Sequence, residues 1–178
     1  MAKVGPYKIL EYDLTWPTLF ASYAAILKEA LGELAMSVEH IGSTSVVGLA
    51  AKPIIDIDIL ISSRLVLGDV IETLADLGYI HEGNVGIPGR EAFVPPPGEP
   101  VHLYVCSVDT PNLHNHLLLR DYLRARPEVA EAYGNLKKSL VIKHADNREA
   151  YTEAKTDFIQ SILARAKVEY GFHTFQNL

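Results

Sequence analysis

Residues 53–61 read PIIDIDILI, and no other stretch of the chain limits its fold so tightly. A run this rich in β-branched residues is expected to form a strand. Alternate side chains of a strand face opposite ways, so Ile55, Ile57, Ile59 and Ile61 share one face while Ile54, Asp56, Asp58 and Leu60 share the other. The isoleucine face is core. The other face sets two carboxylates side by side, where they repel and lose solvation unless they are protonated, paired with bases or bridged by a cation. A divalent ion resolves the conflict best. Oxygen ligands of this kind suit Mg²⁺ or Mn²⁺, which take one or two carboxylates and complete their shell with water and substrate phosphates. Salt bridges from Lys52, Arg90 or a helix-borne arginine are the alternative for Asp56 and Asp58.

A second feature stands just upstream. A short strand over 35–41 is followed by Gly42 and Ser43, with Asp56 thirteen residues beyond Ser43. Glycine at such a turn lets backbone N–H groups come close to a phosphate. The turn is not a P-loop, because five residues separate Gly42 from Gly48 and Leu49 stands where the lysine should follow. Nor is Ser43, Thr44 or Ser45 a hydrolase nucleophile of the G-x-S-x-G kind, since no such elbow surrounds them.

The rest of the chain divides into a mixed α/β part and a helical part. Helical spacing over 15–31 begins with a threonine cap and stops at Gly32, and a second amphipathic helix over 65–77 is closed by Gly78. Residues 79–100 are rich in Gly and Pro and read as strand fragments joined by a loop or hairpin, with a further strand over 101–106. From Leu113 the pattern is helical only, over 113–125, 128–144 and 147–167, and the aromatic tail GFHTFQNL reads as a loosely held end. The expectation is one domain over 1–178, with an α/β core over 1–110 and helices over 111–178 packed on it. The chain carries 16 basic and 22 acidic residues, a net charge of −6, which argues against a nucleic-acid partner bound through overall basicity. The imbalance is uneven: residues 1–112 are strongly acidic and the remainder slightly basic, so the helical part can lend cations to an anionic substrate. One cysteine, Cys106, rules out an internal disulfide framework, and neither a signal peptide nor a membrane span is visible, so a soluble cytoplasmic protein is expected.

The Gly-Ser turn followed by D-x-D on the next strand looks like the nucleotidyltransferase superfamily related to DNA polymerase β. The longer string from Glu39 to Ile57, EHIGSTSV then GL then AKPIIDI, closely resembles the GrpB family, which is also found as a domain attached to some dephospho-CoA kinases. RDYLR at 120–124, YGNLK at 133–137 and YTEAKTDFI at 151–159 extend the resemblance over nearly the whole chain. It implies an α/β fold with a mixed sheet and flanking helices, a helical second half, and a cleft for a nucleotide and Mg²⁺ between them. Gly42, Ser43 and Thr44 then become phosphate contacts, and Asp56 and Asp58 metal ligands and catalytic groups. The third carboxylate that active relatives carry on a later strand is missing: neither face of VHLYVC offers an acid, which leaves His102 in its place and Glu91 or Glu99 as substitutes from the loop. The motifs make Arg120, Lys137 and Lys155 candidates for neutralising phosphate, with Tyr151, one helical turn from Lys155, beside a base; Lys52 and Arg90 join them as neighbours of the carboxylates in the chain. His40 is either tied into the strand end or part of the site. His114 and His116 do not share a helix face and so make no metal pair. Two functions follow: a Mg²⁺-dependent protein that binds a nucleotide and transfers a nucleotidyl group to an unidentified acceptor, or a non-catalytic module for a nucleotide or CoA-related small molecule. No membrane partner is expected.

Overall fold

The isoleucine-aspartate run is the second of five strands. The structure, a computed structural model, describes residues 8–144 and 147–170; the aromatic tail lies outside them. Strands β1 (Ser37–Ile41), β2 (Ile55–Ile61), β3 (Ile80–Gly83), β4 (Arg90–Val94) and β5 (Val101–Ser107) form one mixed sheet in the order β1-β2-β5-β4-β3. Only β2 and β5 run parallel. Their register sets Asp56 opposite His102 and Asp58 opposite Tyr104, while Glu39 of β1 pairs with Asp58 from the other side.

One face of the sheet is covered by α1 (Trp16–Leu31) and α2 (Leu67–Asp76), whose Leu27, Leu31, Val70 and Leu74 pack on Ile55, Ile57, Ile59, Leu103 and Val105. Each such buried aliphatic side chain contributes about 1.5–3 kcal/mol relative to exposure. The start of α1 differs from expectation. Thr15 already has helical φ and ψ of −81° and −19°, and its hydroxyl makes no cap; Asp13 Oδ1 accepts from both the Thr15 N–H and its hydroxyl, at 2.8 and 2.7 Å. The second helix is shorter than its pattern, because residues 64–66 form a tighter 3₁₀ turn ahead of Leu67. The Gly- and Pro-rich stretch is ordered into β3 and β4, with a register shift between His81 and Gly83.

The carboxylate face is covered by α3 (Pro111–Arg124), which closes over Ile41, Leu60 and Cys106 with Leu113 and Leu117. Helices α4 (Pro127–Lys143) and α5 (Arg148–Tyr170) complete the helical wall. Between β1 and β2 the chain makes an excursion that carries Val46 and Leu49 into the helical cluster beside Tyr122, Leu123, Tyr133 and Ile162. Among the described residues no helix is long and apolar enough to cross a membrane.

Candidate functional site

The turn after β1 is built against Asp56. Gly42 has φ 69° and ψ −172°, a region that only glycine occupies without strain, and a Cβ at this position would lie 2.3 Å from Asp56 Oδ2. The 3₁₀ turn Ser43–Ser45 follows, with the Ser45 hydroxyl donating to Gly42 O at 2.6 Å. Helix α3 braces this turn from outside. Arg120 donates to His40 O at 3.3 Å and Arg124 to Ser45 O at 2.9 Å, so the RDYLR motif holds the backbone on both sides of Gly42 and Ser43. Helix α4 holds it from the cleft: buried Lys137 donates to Ser43 Oγ at 2.8 Å with its ammonium 4.5 Å from the Tyr133 ring.

The two aspartates meet different environments. Asp56 borders the cleft with its side chain 28 % exposed, and its Oδ1 accepts from His102 Nδ1 at 2.9 Å. Asp58 is fully buried; its Oδ2 accepts from His116 Nδ1 at 2.8 Å, and its Oδ1 has no partner. The expectation of two carboxylates open to one cleft is therefore corrected: Asp56 faces it, and Asp58 lies beneath His116, which lines it. Glu91 and Glu99 do not supply a third acid. Glu91 is held by Arg64 and His81, at 2.7 and 2.8 Å, and Glu99 accepts from Tyr23.

Cations gather around Asp56 from three directions. Lys137 and Lys155 come from α4 and α5, Arg90 from β4 with its guanidinium 4.3 Å from the Tyr104 ring, and Lys52 from the β1–β2 excursion, 5.3 Å from the Tyr151 ring. Burial, reinforced by Lys155, pushes the Lys137 ammonium down to about 7, and Asp56 partly opposes the shift. Burial also lowers Lys155. Together these groups line two adjoining cavities of ≈ 510 and ≈ 220 Å³ that share Ser43, Asp56, Arg90, Tyr104, Tyr133 and Lys155.

Thr44 and Arg120, expected in the site, have other duties, and His40, open between two roles, is tied into the strand end. Thr44 is buried, donates to Ile54 O at 3.2 Å and meets His40 Nε2 at 3.0 Å, so its hydroxyl fastens the turn and is not free for a phosphate. His40 itself lies across the sheet from the aspartates, stacked on Phe20 at 4.5 Å, and burial together with Arg124 and Arg120 lowers it to about 4. Arg120 reaches the cleft already neutralised by Glu39 and Asp121, each at 2.7 Å. Conversely, His116, Tyr104 and Tyr133 line the cleft without having been expected there. His114 turns elsewhere, its Nε2 meeting Val108 O at 2.8 Å. The one signal that pointed to His116 was a buried acid in need of a donor.

A Mg²⁺ ion fits this donor set in one respect: Asp58 Oδ1 is an orphaned buried carboxylate oxygen, and the cleft-facing carboxylate of Asp56 stands two residues away. Among the described residues no group of three or more His, Cys, Asp or Glu is arranged to hold an ion, so protein ligands alone would leave most of its shell to water and phosphate.

A mixed sheet with a Gly-Ser turn, a D-x-D strand and a helical wall across a cleft is a nucleotidyltransferase-like fold. It matches the Cid1 poly(U) polymerase, in a form bound to MgATP, with a TM-score of 0.57 over 82% of this chain and 50% of that one, at 15% identity. The chain belongs to the GrpB family, whose profile, described as GrpB protein, matches residues 6–165. The crystal structure of GrpB from Enterococcus faecalis superposes with a TM-score of 0.83 at 36% identity, covering 92% of this chain and 99% of that one. UPF0157 protein YqkA of Bacillus subtilis is 35% identical over 90% of this chain, which spans 47% of that protein's length. UPF0157 protein SCO7215 of Streptomyces coelicolor is 37% identical over 88% of this chain and 82% of its own length. A dephospho-CoA kinase of Mycolicibacterium paratuberculosis is 26% identical over 91% of this chain and 46% of its own length.

Proposed function

We propose that the chain binds a nucleoside triphosphate with Mg²⁺ in this cleft and transfers its nucleotidyl group to a small-molecule acceptor. The observation that carries the reading is the placement of Asp56: it leans on the Gly42 backbone and faces Lys137 and Lys155 across the cleft. A polyphosphate needs fixed cations, and a metal needs a carboxylate beside them; here one turn brings both within reach. Asp56 would hold the ion from the cleft, and Asp58, buried beneath His116, would join it only if that imidazole turned aside; the ion would supply charge neutralisation in the transfer. Ser43 and the turn backbone position the phosphates, Lys137 and Lys155 offset their charge, and Tyr104 and Tyr151 offer aromatic faces to a base.

A second reading has its own support. Strand β5 offers His102 and Tyr104 opposite Asp56 and Asp58, where a third acid would serve transfer, and this favours a non-catalytic module for a nucleotide or CoA-related ligand. A thermal-shift series with the four nucleoside triphosphates, CoA and dephospho-CoA, each with and without Mg²⁺, tests both. A Mg²⁺-dependent rise for a triphosphate, lost in Asp56→Asn, supports the first reading when labelled nucleotidyl product also forms. Stabilisation without turnover supports the second, and no stabilisation by any of them rejects both.

A further inference from the structure

The cleft has two chemically different ends, and Asp56 stands where they join. The larger, of ≈ 510 Å³, takes Lys52, Lys137 and His102 into its walls; the smaller, of ≈ 220 Å³, shares Lys155 and Arg90 with it and adds Ile41, Leu119, Leu123 and Ile159. In nucleotidyl transfer the attacking and leaving oxygens lie on opposite sides of the phosphorus. A nucleotide whose polyphosphate lies among the lysines, with its α-phosphate at Asp56, releases diphosphate toward the larger end, so attack comes from the smaller one.

We propose that the smaller end is the acceptor site and that it takes a small aliphatic hydroxy acid. This rests on the nucleotidyl-transfer reading and names its acceptor class. Size favours a small molecule over a nucleic-acid strand: at ≈ 220 Å³ this end has less than half the volume of the ≈ 510 Å³ end. The four aliphatic side chains call for a hydrocarbon body. The anion is called for by Arg90, which lines both ends and, among the described residues, is paired with no carboxylate. A half-buried guanidinium in that state offers an incoming carboxylate charge-assisted hydrogen bonds. Arg120, on the same wall, is already committed to Glu39 and Asp121. With the carboxylate at Arg90, the hydroxyl is left for Asp56 and the α-phosphate. Its oxygen bonds to the α-phosphorus, the bond from that phosphorus to the bridging oxygen breaks, diphosphate leaves with the electron pair, and the hydroxyl proton passes to water.

The test uses the full chain and 2-hydroxy-4-methylpentanoate as probe, titrated calorimetrically in the absence of nucleotide. Binding is expected, weakened about tenfold or more by Arg90→Gln, the loss of one charge-assisted contact. Leu119→Trp, which fills the apolar end, is expected to abolish it while keeping a nucleotide-induced melting shift; Lys167→Ala is the control. Should Leu119→Trp fail to fold, Arg90→Gln decides alone. Absence of probe binding, affinity unchanged from the parent in both cleft variants, or extension of a short oligouridylate in its place overturns the proposal. A chain that binds the probe but shows no Mg²⁺-dependent nucleotide shift overturns the transfer reading, and with it the acceptor role.

Discussion

Asp58 gives one carboxylate oxygen to His116 Nδ1 at 2.8 Å and keeps the other buried with no partner. Removing the imidazole leaves a fully buried carboxylate with neither oxygen satisfied, and an uncompensated buried charge is strongly destabilising. His116→Ala is expected to cost about 2–4 kcal/mol in urea denaturation, and adding Asp58→Asn to recover part of it. Equal stability of His116→Ala and the parent would show that Asp58 does not depend on this contact.

The contact between Gly42 and Asp56 predicts a steric coupling. Gly42→Ala adds a Cβ 2.3 Å from Asp56 Oδ2 at a backbone conformation that costs roughly 1–3 kcal/mol by itself. Combining it with Asp56→Gly removes the overlap and leaves only the backbone cost. A double-mutant cycle on melting temperature is therefore expected to be non-additive, with the pair less damaging than the sum. Additivity would disprove the close approach.

The proposed nucleotide binding is expected to depend on pH through Lys137. Its folded value of about 7 lies below the ordinary lysine value of 10.5, so between these the unfolded chain binds more protons and stability rises with pH. Phosphate favours the charged ammonium, so binding takes up a proton, and affinity should fall above pH 7 by up to about tenfold per unit. Lys137→Met is expected to raise the melting temperature of the ligand-free chain at neutral pH and to flatten the pH dependence of binding. Titration in buffers of different ionisation enthalpy reads the proton directly.

His40 predicts an acid limit. Held at about 4 against an ordinary 6.5, it is buried neutral, so the unfolded chain binds the extra proton first. The associated stability, about 3 kcal/mol, is complete above pH 6.5 and lost as the pH falls to 4. Denaturation midpoints measured across that interval should decline in the parent and decline less in His40→Gln.

Most of the fold was legible because its signals are local. The isoleucine alternation defined the two faces of β2, and the helical half announced itself by periodicity. The cap at Thr15 was misread because Asp13, two residues earlier, accepts from both the Thr15 N–H and its hydroxyl, which turns that hydroxyl away from the first turn of the helix. The candidate site was legible at Gly42, Ser43 and Asp56, whose spacing survives folding, and at Lys137, which reaches Ser43. It was not legible at Thr44 and Arg120, where residues of the expected chemistry are consumed by contacts across 10 and 81 positions. His116 and Asp58 lie 58 positions apart, and no spacing rule links them.

The excursion between β1 and β2 has a consequence for how the molecule can be divided. Val46 and Leu49 are completely buried in the helical cluster, although both belong to the segment that carries the Gly42-Ser43 turn. A fragment ended ahead of α3 would bare these two side chains and lose the arginines that grip the turn on either side. The strands and the helices are therefore poor candidates for separate expression or for exchange between relatives as modules: a graft at their boundary would have to carry the helical seat of Val46 and Leu49 along with the loop.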